Sequence, residues 1–161
     1  MTNVDVDLEG VWPHNFSMSE TQAALGSMLL NRVKDLNDVR RSRLKIIHET
    51  FAQSNQLRFQ KVDDYQSHSG HLLPARWIGH KNGRDDFIRK MLSDHGIKTI
   101  VQYYPLYRQD LFKKFGHGDA KCPITDDFFD NMVSIPFQVW LDDDQFTYLV
   151  RSIKQTLQSL I

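Results

Sequence analysis

The sequence predicts an α+β fold, with a small, mostly antiparallel sheet, helices packed on it, and a long helix preceding both. Three observations carry this reading. Residues Ser17 to Phe51 form one amphipathic run without a proline. Short stretches at 57–62, 71–78, 97–104 and 133–139 have strand patterns. Helical patterns at 84–95, 109–115, 125–132 and 142–161 are mixed with them without strict alternation.

The first sixteen residues hold acidic side chains, a Gly and a Pro with little periodicity, so an irregular arm is expected, with Trp12 and Phe16 able to pin it. Ser17 followed by Glu20 is a capping box opening the long helix, and Phe16 stands where a staple residue would. Ala24, Leu25, Met28, Leu29, Val33 and Leu36 recur at helical steps and share a face, while Arg32, Lys34, Asp38, Arg40, Arg41 and Lys45 line the other. The polar stretch 52–55 ends the helix. Leu57 to Val62 alternates as a short strand, and His71 to Ile78 reads as another in which Pro74 favours an edge or a bulge.

Arg84 to His95 is a helix with Asp85 and Asp86 at its positive end and Gly96 placed to close it. Ile97 to Tyr104 is the strongest strand pattern, rich in β-branched and aromatic residues and stopped by Pro105. A short helical turn at 109–115, a helix at 125–132 capped by Thr125, and a strand at 133–139 broken by Pro136 follow. The last helix, from Asp142 to Ile161, carries Phe146, Leu149, Val150, Ile153, Leu157 and Leu160 on one face. The expected organisation is an arm at 1–16, a joining helix at 17–55 and a small α+β domain at 56–161, one structural unit overall.

Twenty basic and twenty acidic residues leave no net charge, so the global balance points to neither nucleic acid nor an anionic membrane as partner. The single cysteine, Cys122, excludes an internal disulfide. No apolar run is long enough for a membrane span, and the N-terminus lacks the pattern of a signal peptide, so a cytoplasmic location is expected.

Residue chemistry alone supplies no complete active site. His68, His71 and His80 contain an HxxH pair, but the pair sits at a loop-to-strand join rather than on one helix face. Solvated or singly bonded histidines are the reading, and no metal site is assigned. Cys122 beside Pro123 reads as a small semi-buried thiol. The loop GHGDAKCP lacks the Lys-Ser/Thr pair of a phosphate loop.

Longer motifs say more. HNFSMSETQAALG (14–26) with Arg40-Arg41, GIKTIVQYYPLYRQDLFKKFG (96–116) and CPITDDFFDNMVSIPF (122–137) stand in one order along the chain. Together they resemble the C-terminal part of DegT/DnrJ/StrS-type sugar aminotransferases, PLP-dependent enzymes of the aspartate-aminotransferase fold. The resemblance implies the small domain of fold type I PLP-dependent transferases. It implies that Asn15 reaches the cofactor phosphate of a neighbouring subunit, and that Gln102, Tyr103 and Tyr107 stand on the substrate-side strand and loop. There the family commonly shows His, Tyr and His, so Gln102 and Tyr107 depart from its usual pattern. Pro13 and Ser17 depart as well, where Gly and a basic residue are frequent.

In the family, an N-terminal large domain supplies the Schiff-base lysine and the acid facing the pyridinium nitrogen. No lysine here stands in that context, so the resemblance implies no catalytic residue in this chain, no PLP bound to it alone, and no amino transfer by it alone. The apolar face between Ser17 and Leu36 then needs cover. At roughly 1.5–3 kcal/mol for each large side chain, leaving it bare costs about 10 kcal/mol, against a total stability of about 5–15 kcal/mol. A homodimer built on this helix or a separate large-domain partner is expected. Three functions stay open: a catalytically incomplete C-terminal domain of an enzyme that aminates a nucleotide-linked keto sugar, one half of a split enzyme, and a non-enzymatic module that binds a nucleotide sugar or a protein.

Overall fold

The computed structural model describes residues 17–161. The sequence expectations for the arm, Trp12, Phe16 and Asn15 lie outside the described residues. The chain divides into two compact units, one ending at Lys34 and one running from Asp35 to Ile161.

In the first unit the chain enters helix α1 (Glu20–Thr50) through a capping box. The box is formed by Ser19 rather than Ser17. Ser19 N donates to Gln22 Oε1 at 2.9 Å, and Gln22 N donates to Ser19 Oγ at 3.3 Å. Both pairs fit the box pattern, and the helix takes the one whose acceptor is a neutral amide. Leu25, Met28, Leu29 and Val33 are exposed.

The second unit is built on a three-stranded antiparallel sheet in the order β1 (Leu57–Phe59), β2 (Leu73–Trp77), β3 (Met132–Ile135). Directly paired residues share a face, so Leu57, Phe59, Leu73, Ala75, Trp77, Val133 and Ile135 look to one side. There they join Leu44 and Ile47 of α1, Phe87 and Met91 of α2 (Gly83–His95), and Phe146, Leu149, Ile153 and Leu157 of α5 (Asp143–Gln158) in one core. The other face carries Pro74, Arg76, Met132 and Ser134. It meets α4 (Pro123–Asn131), where Arg76 pairs with Asp127 at 2.6 Å.

Helix α2 closes as the sequence predicts: Gly96 adopts φ 65° and its N–H caps the last turn. Helix α5 opens on Asp142, whose carboxylate accepts from Gln145 N at 2.7 Å while Gln145 Oε1 accepts from Asp142 N at 3.0 Å. Pro74 lies on the central strand, not on an edge. It is tolerated because β1 ends at Phe59, opposite Ala75, leaving Pro74 paired only to Ser134 of β3.

The strongest predicted strand, 97–104, is reduced to a single bridge. Ile100 N donates to Ser134 O at 3.1 Å and Ser134 N to Ile100 O at 2.7 Å. The next antiparallel pairs would be Lys98 with Pro136 and Gln102 with Met132. Pro136 has no N–H to give, and Gln102 N turns to Met132 Sδ at 3.3 Å, so the ladder stops on both sides. After a 3₁₀ turn (Leu106–Arg108) and α3 (Asp110–Lys114), α4 begins at Pro123 rather than at Thr125. Proline fits the first helical position, where its missing N–H costs nothing.

Candidate functional site

The bridge between Ile100 and Ser134 builds the candidate site. An extended segment turns alternate residues to one side, so Lys98, Ile100 and Gln102 share a face. All three line a groove of about 430 Å³, together with Arg40 of α1, His71, and the chain from Ser134, near the end of β3, to Gln138. Gln102 Nε2 donates to Ser134 Oγ at 3.1 Å, fixing the amide over the sheet's second face. Ser134 itself is buried.

The other sequence-predicted residues fall outside the lining of this groove. Tyr103 is 74% exposed, pointing its phenol at solvent. Tyr107 belongs to a polar network that ties the 3₁₀ turn to α4. Its hydroxyl donates to Asp126 Oδ1 at 2.7 Å. Arg108 pairs with Asp126 and, at 2.7 Å, with Asp130, while its guanidinium lies 5.6 Å from the centre of the Phe129 ring. Arg84 Nη1 donates to Asp130 O at 2.8 Å. Partial desolvation first, then the bond to Asp126, push the Tyr107 phenol up to about 12, so the hydroxyl stays protonated and remains a donor at neutral pH. Hydrogen bonding to Arg108 holds the Asp130 carboxyl below its ordinary range.

Of the three histidines, His68 and His80 are individually engaged, and His71 is exposed at the groove. His68 Nδ1 accepts from Gly70 N at 2.9 Å, and His80 Nε2 stands 3.8 Å from Asp86 while its carbonyl accepts from Trp77 Nε1. Among the described residues no three His, Cys, Asp or Glu side chains come together as metal ligands would. Cys122 is a half-buried thiol at the start of α4, its carbonyl accepting from Asp126 N at 2.9 Å.

The motifs pointed to Gln102 but not to the groove around it. Lys98 could have been read from the period of its own segment. Ser134 lies in the S-I-P motif, whose side-chain partner local sequence does not reveal.

With this geometry in view, the chain can be set beside known proteins. It matches the DegT/DnrJ/EryC1/StrS aminotransferase family over residues 5–154, and it belongs to that family. The Bacillus subtilis spore coat polysaccharide biosynthesis protein SpsC is 24% identical over 151 residues, 90% of this chain and 38% of its own length. Among solved structures, Helicobacter pylori PseC, an aminotransferase of pseudoaminic acid biosynthesis, superposes with a TM-score of 0.75 at 24% identity, covering 91% of this chain and 39% of its own. The sugar aminotransferase CalS13 from Micromonospora echinospora gives a TM-score of 0.76 at 24% identity over 89% of this chain and 37% of its own. The chain thus spans less than two-fifths of the length of these relatives.

The family is one of PLP-dependent sugar aminotransferases. Holding PLP as an imine requires a lysine in a shielded environment. Among the described residues every lysine except Lys90 is exposed, and Lys90 is paired with Asp94 at 3.3 Å. The described residues therefore do not fit PLP as a self-contained pocket. No helix among them is long and apolar enough to cross a membrane.

Proposed function

We propose that these 161 residues are the C-terminal, pocket-shaping part of a PLP-dependent sugar aminotransferase that transfers an amino group to a nucleotide-linked keto sugar. The family match across residues 5–154 is the observation that carries this reading. In it, residues 17–55 join the small domain at 56–161 to a large domain that holds the cofactor lysine. Asn15 serves the cofactor phosphate of a neighbouring subunit, and Gln102 and Tyr103 face the substrate. Tyr107 takes part through the same loop, its hydroxyl anchored on Asp126.

The chain covers less than two-fifths of its relatives, which supports a division of labour: this part binds and orients, and the cofactor-bearing part performs the chemistry. The same observation favours a second reading, in which a separately encoded large domain completes the enzyme. The 161 residues, supplied with PLP, an amino donor and a nucleotide-linked keto sugar, are expected to show no turnover. Adding a family large domain is expected to restore it. Turnover by the 161 residues alone overturns the proposal.

A further inference from the structure

Between the bridge segment and β3 the chain makes a long excursion, residues 106–131, that is attached differently from the rest of the second unit. It holds the 3₁₀ turn, α3 and α4. No residue of it is buried, and none belongs to the core or packs against it. Its large apolar side chains are turned to solvent. Leu111 and Phe115 stand one turn apart on α3, Ile124 and Phe128 one turn apart on α4, and all four are exposed. Apolar burial is the main force that holds elements together, and here it is missing.

Polar contacts take its place, and they fall into two sets. One set is internal. Tyr107 donates to Asp126, and Arg108 pairs with Asp126 and Asp130 while lying over the Phe129 ring. These bonds join the 3₁₀ turn to α4. The other set reaches the body of the domain. Arg76 of β2 pairs with Asp127 at 2.6 Å, and Arg84 of α2 donates to the carbonyls of Asp130 and Phe129 at 2.8 and 3.5 Å, at the negative end of α4. The Tyr104 ring meets the Phe129 ring edge-on, with centres 5.4 Å apart. The Asp127 side chain is 52% exposed, so water and salt reach its pair with Arg76. Such pairs contribute little and are screened by salt.

We propose that residues 106–131 form a strap that opens and closes as one body, latched shut by Arg76 and Arg84. The internal bonds keep the 3₁₀ turn and α4 together, while the bonds to β2 and α2 are the ones that part. Closed, the strap covers Arg76 on the second face of the sheet. Open, it uncovers that face and carries Tyr107 with it. In the amino-transfer reading, on which this last consequence alone rests, the latch sets when Tyr107 is presented to substrate.

The test is a distance across the latch. Thr125→Cys on α4 and Gln155→Cys on α5, both at exposed positions, are introduced with Cys122→Ser, labelled with nitroxides and measured by pulsed electron paramagnetic resonance. One narrow distance is expected at low salt, and a second, longer population at about 1 M salt, where screening is nearly complete. Asp127→Asn, which removes one latch pair at constant shape, is expected to raise the open-to-closed ratio up to about fivefold. Arg76→Gln combined with Arg84→Gln is expected to raise it further, Asp127→Glu to restore the closed distance, and Arg89→Gln, which removes an exposed pair with Asp86 on α2, to change nothing. Far-ultraviolet circular dichroism is expected to stay constant as the strap opens. A single unshifted distance in the double arginine variant at high salt overturns the proposal. So does a loss of helix in step with the longer distance, which would mean that the strap unravels. Should the double variant fail to fold, Asp127→Asn at high salt decides, because its side chain lies outside the core. No cofactor or substrate enters these measurements, so their failure leaves the aminotransferase reading untouched.

Discussion

Gly83→Ala is expected to destabilise the second unit by about 3 kcal/mol, the upper range for forcing extra volume into a packed core. The reason is the Trp77 indole. A Cβ on Gly83 would stand 2.3 Å from its Cζ2, 2.5 Å from Cε2 and 2.6 Å from Nε1. The ring cannot swing away cheaply. It is 4% exposed, its Nε1 donates to His80 O at 2.9 Å, and it packs against Phe87 with ring centres 6.1 Å apart. Gly79 is nearly as close to the same ring, with a built Cβ at 2.8 Å. The loop and the first turn of α2 thus fit around a rigid aromatic plate, and only glycine leaves room. The contrast is Gly26→Ala, which meets nothing within 4 Å and should gain up to about 1 kcal/mol of helix propensity. Urea denaturation read by far-ultraviolet circular dichroism and by tryptophan emission separates the two. A wild-type midpoint for Gly83→Ala would mean that the indole does not occupy this space.

Leu25→Glu combined with Met28→Glu is expected to weaken association of the chain with the proposed large-domain or second-copy partner more than a hundredfold. Leu25 is 58% exposed and Met28 is 68% exposed, and they share their helix face with Leu29 and Val33. If a partner covers this face, each large side chain contributes roughly 1.5–3 kcal/mol, and losing two corresponds to about two to four orders of magnitude in affinity. Glutamate is a good helix former, so α1 itself should persist, and helicity should be unchanged. Sedimentation velocity of the chain alone, and mixed with a family large domain, reads the effect. Association of the double variant as tight as that of the unaltered chain would place the partner elsewhere.

Legibility in the sequence followed how local the determining physics was. Helices α2 and α5 could be read because their ends are set by neighbours in the chain: Asp85, Asp86 and Gly96 for one, Asp142 with Gln145 for the other. The segment 97–104 has strand composition, yet its fate depends on Pro136 and Met132, residues far along the chain, which stop its ladder. Pro74 shows the reverse. The rule that proline avoids paired positions held locally, but the shortness of β1 let the rule be met on the central strand. Arg43 carries no local signal of its role: it is buried and serves carbonyls near the start of α5. The candidate groove draws on α1, the approach to β2, the bridge segment and the end of β3. Gln102 was legible through the family motif, while Arg40 appeared as one polar-face residue of the long helix and as half of an arginine pair. Its unpaired Nε is a property of the packed structure alone.

The central claim is that this part of the enzyme shapes the pocket while another part carries the cofactor lysine. The most direct measurement is to incubate the 161-residue chain with stoichiometric PLP, desalt it, reduce with borohydride and locate any modified lysine by mass spectrometry. The account predicts no retained visible chromophore and only scattered, substoichiometric modification of exposed lysines. A stoichiometric PLP adduct on one lysine of this chain would contradict it.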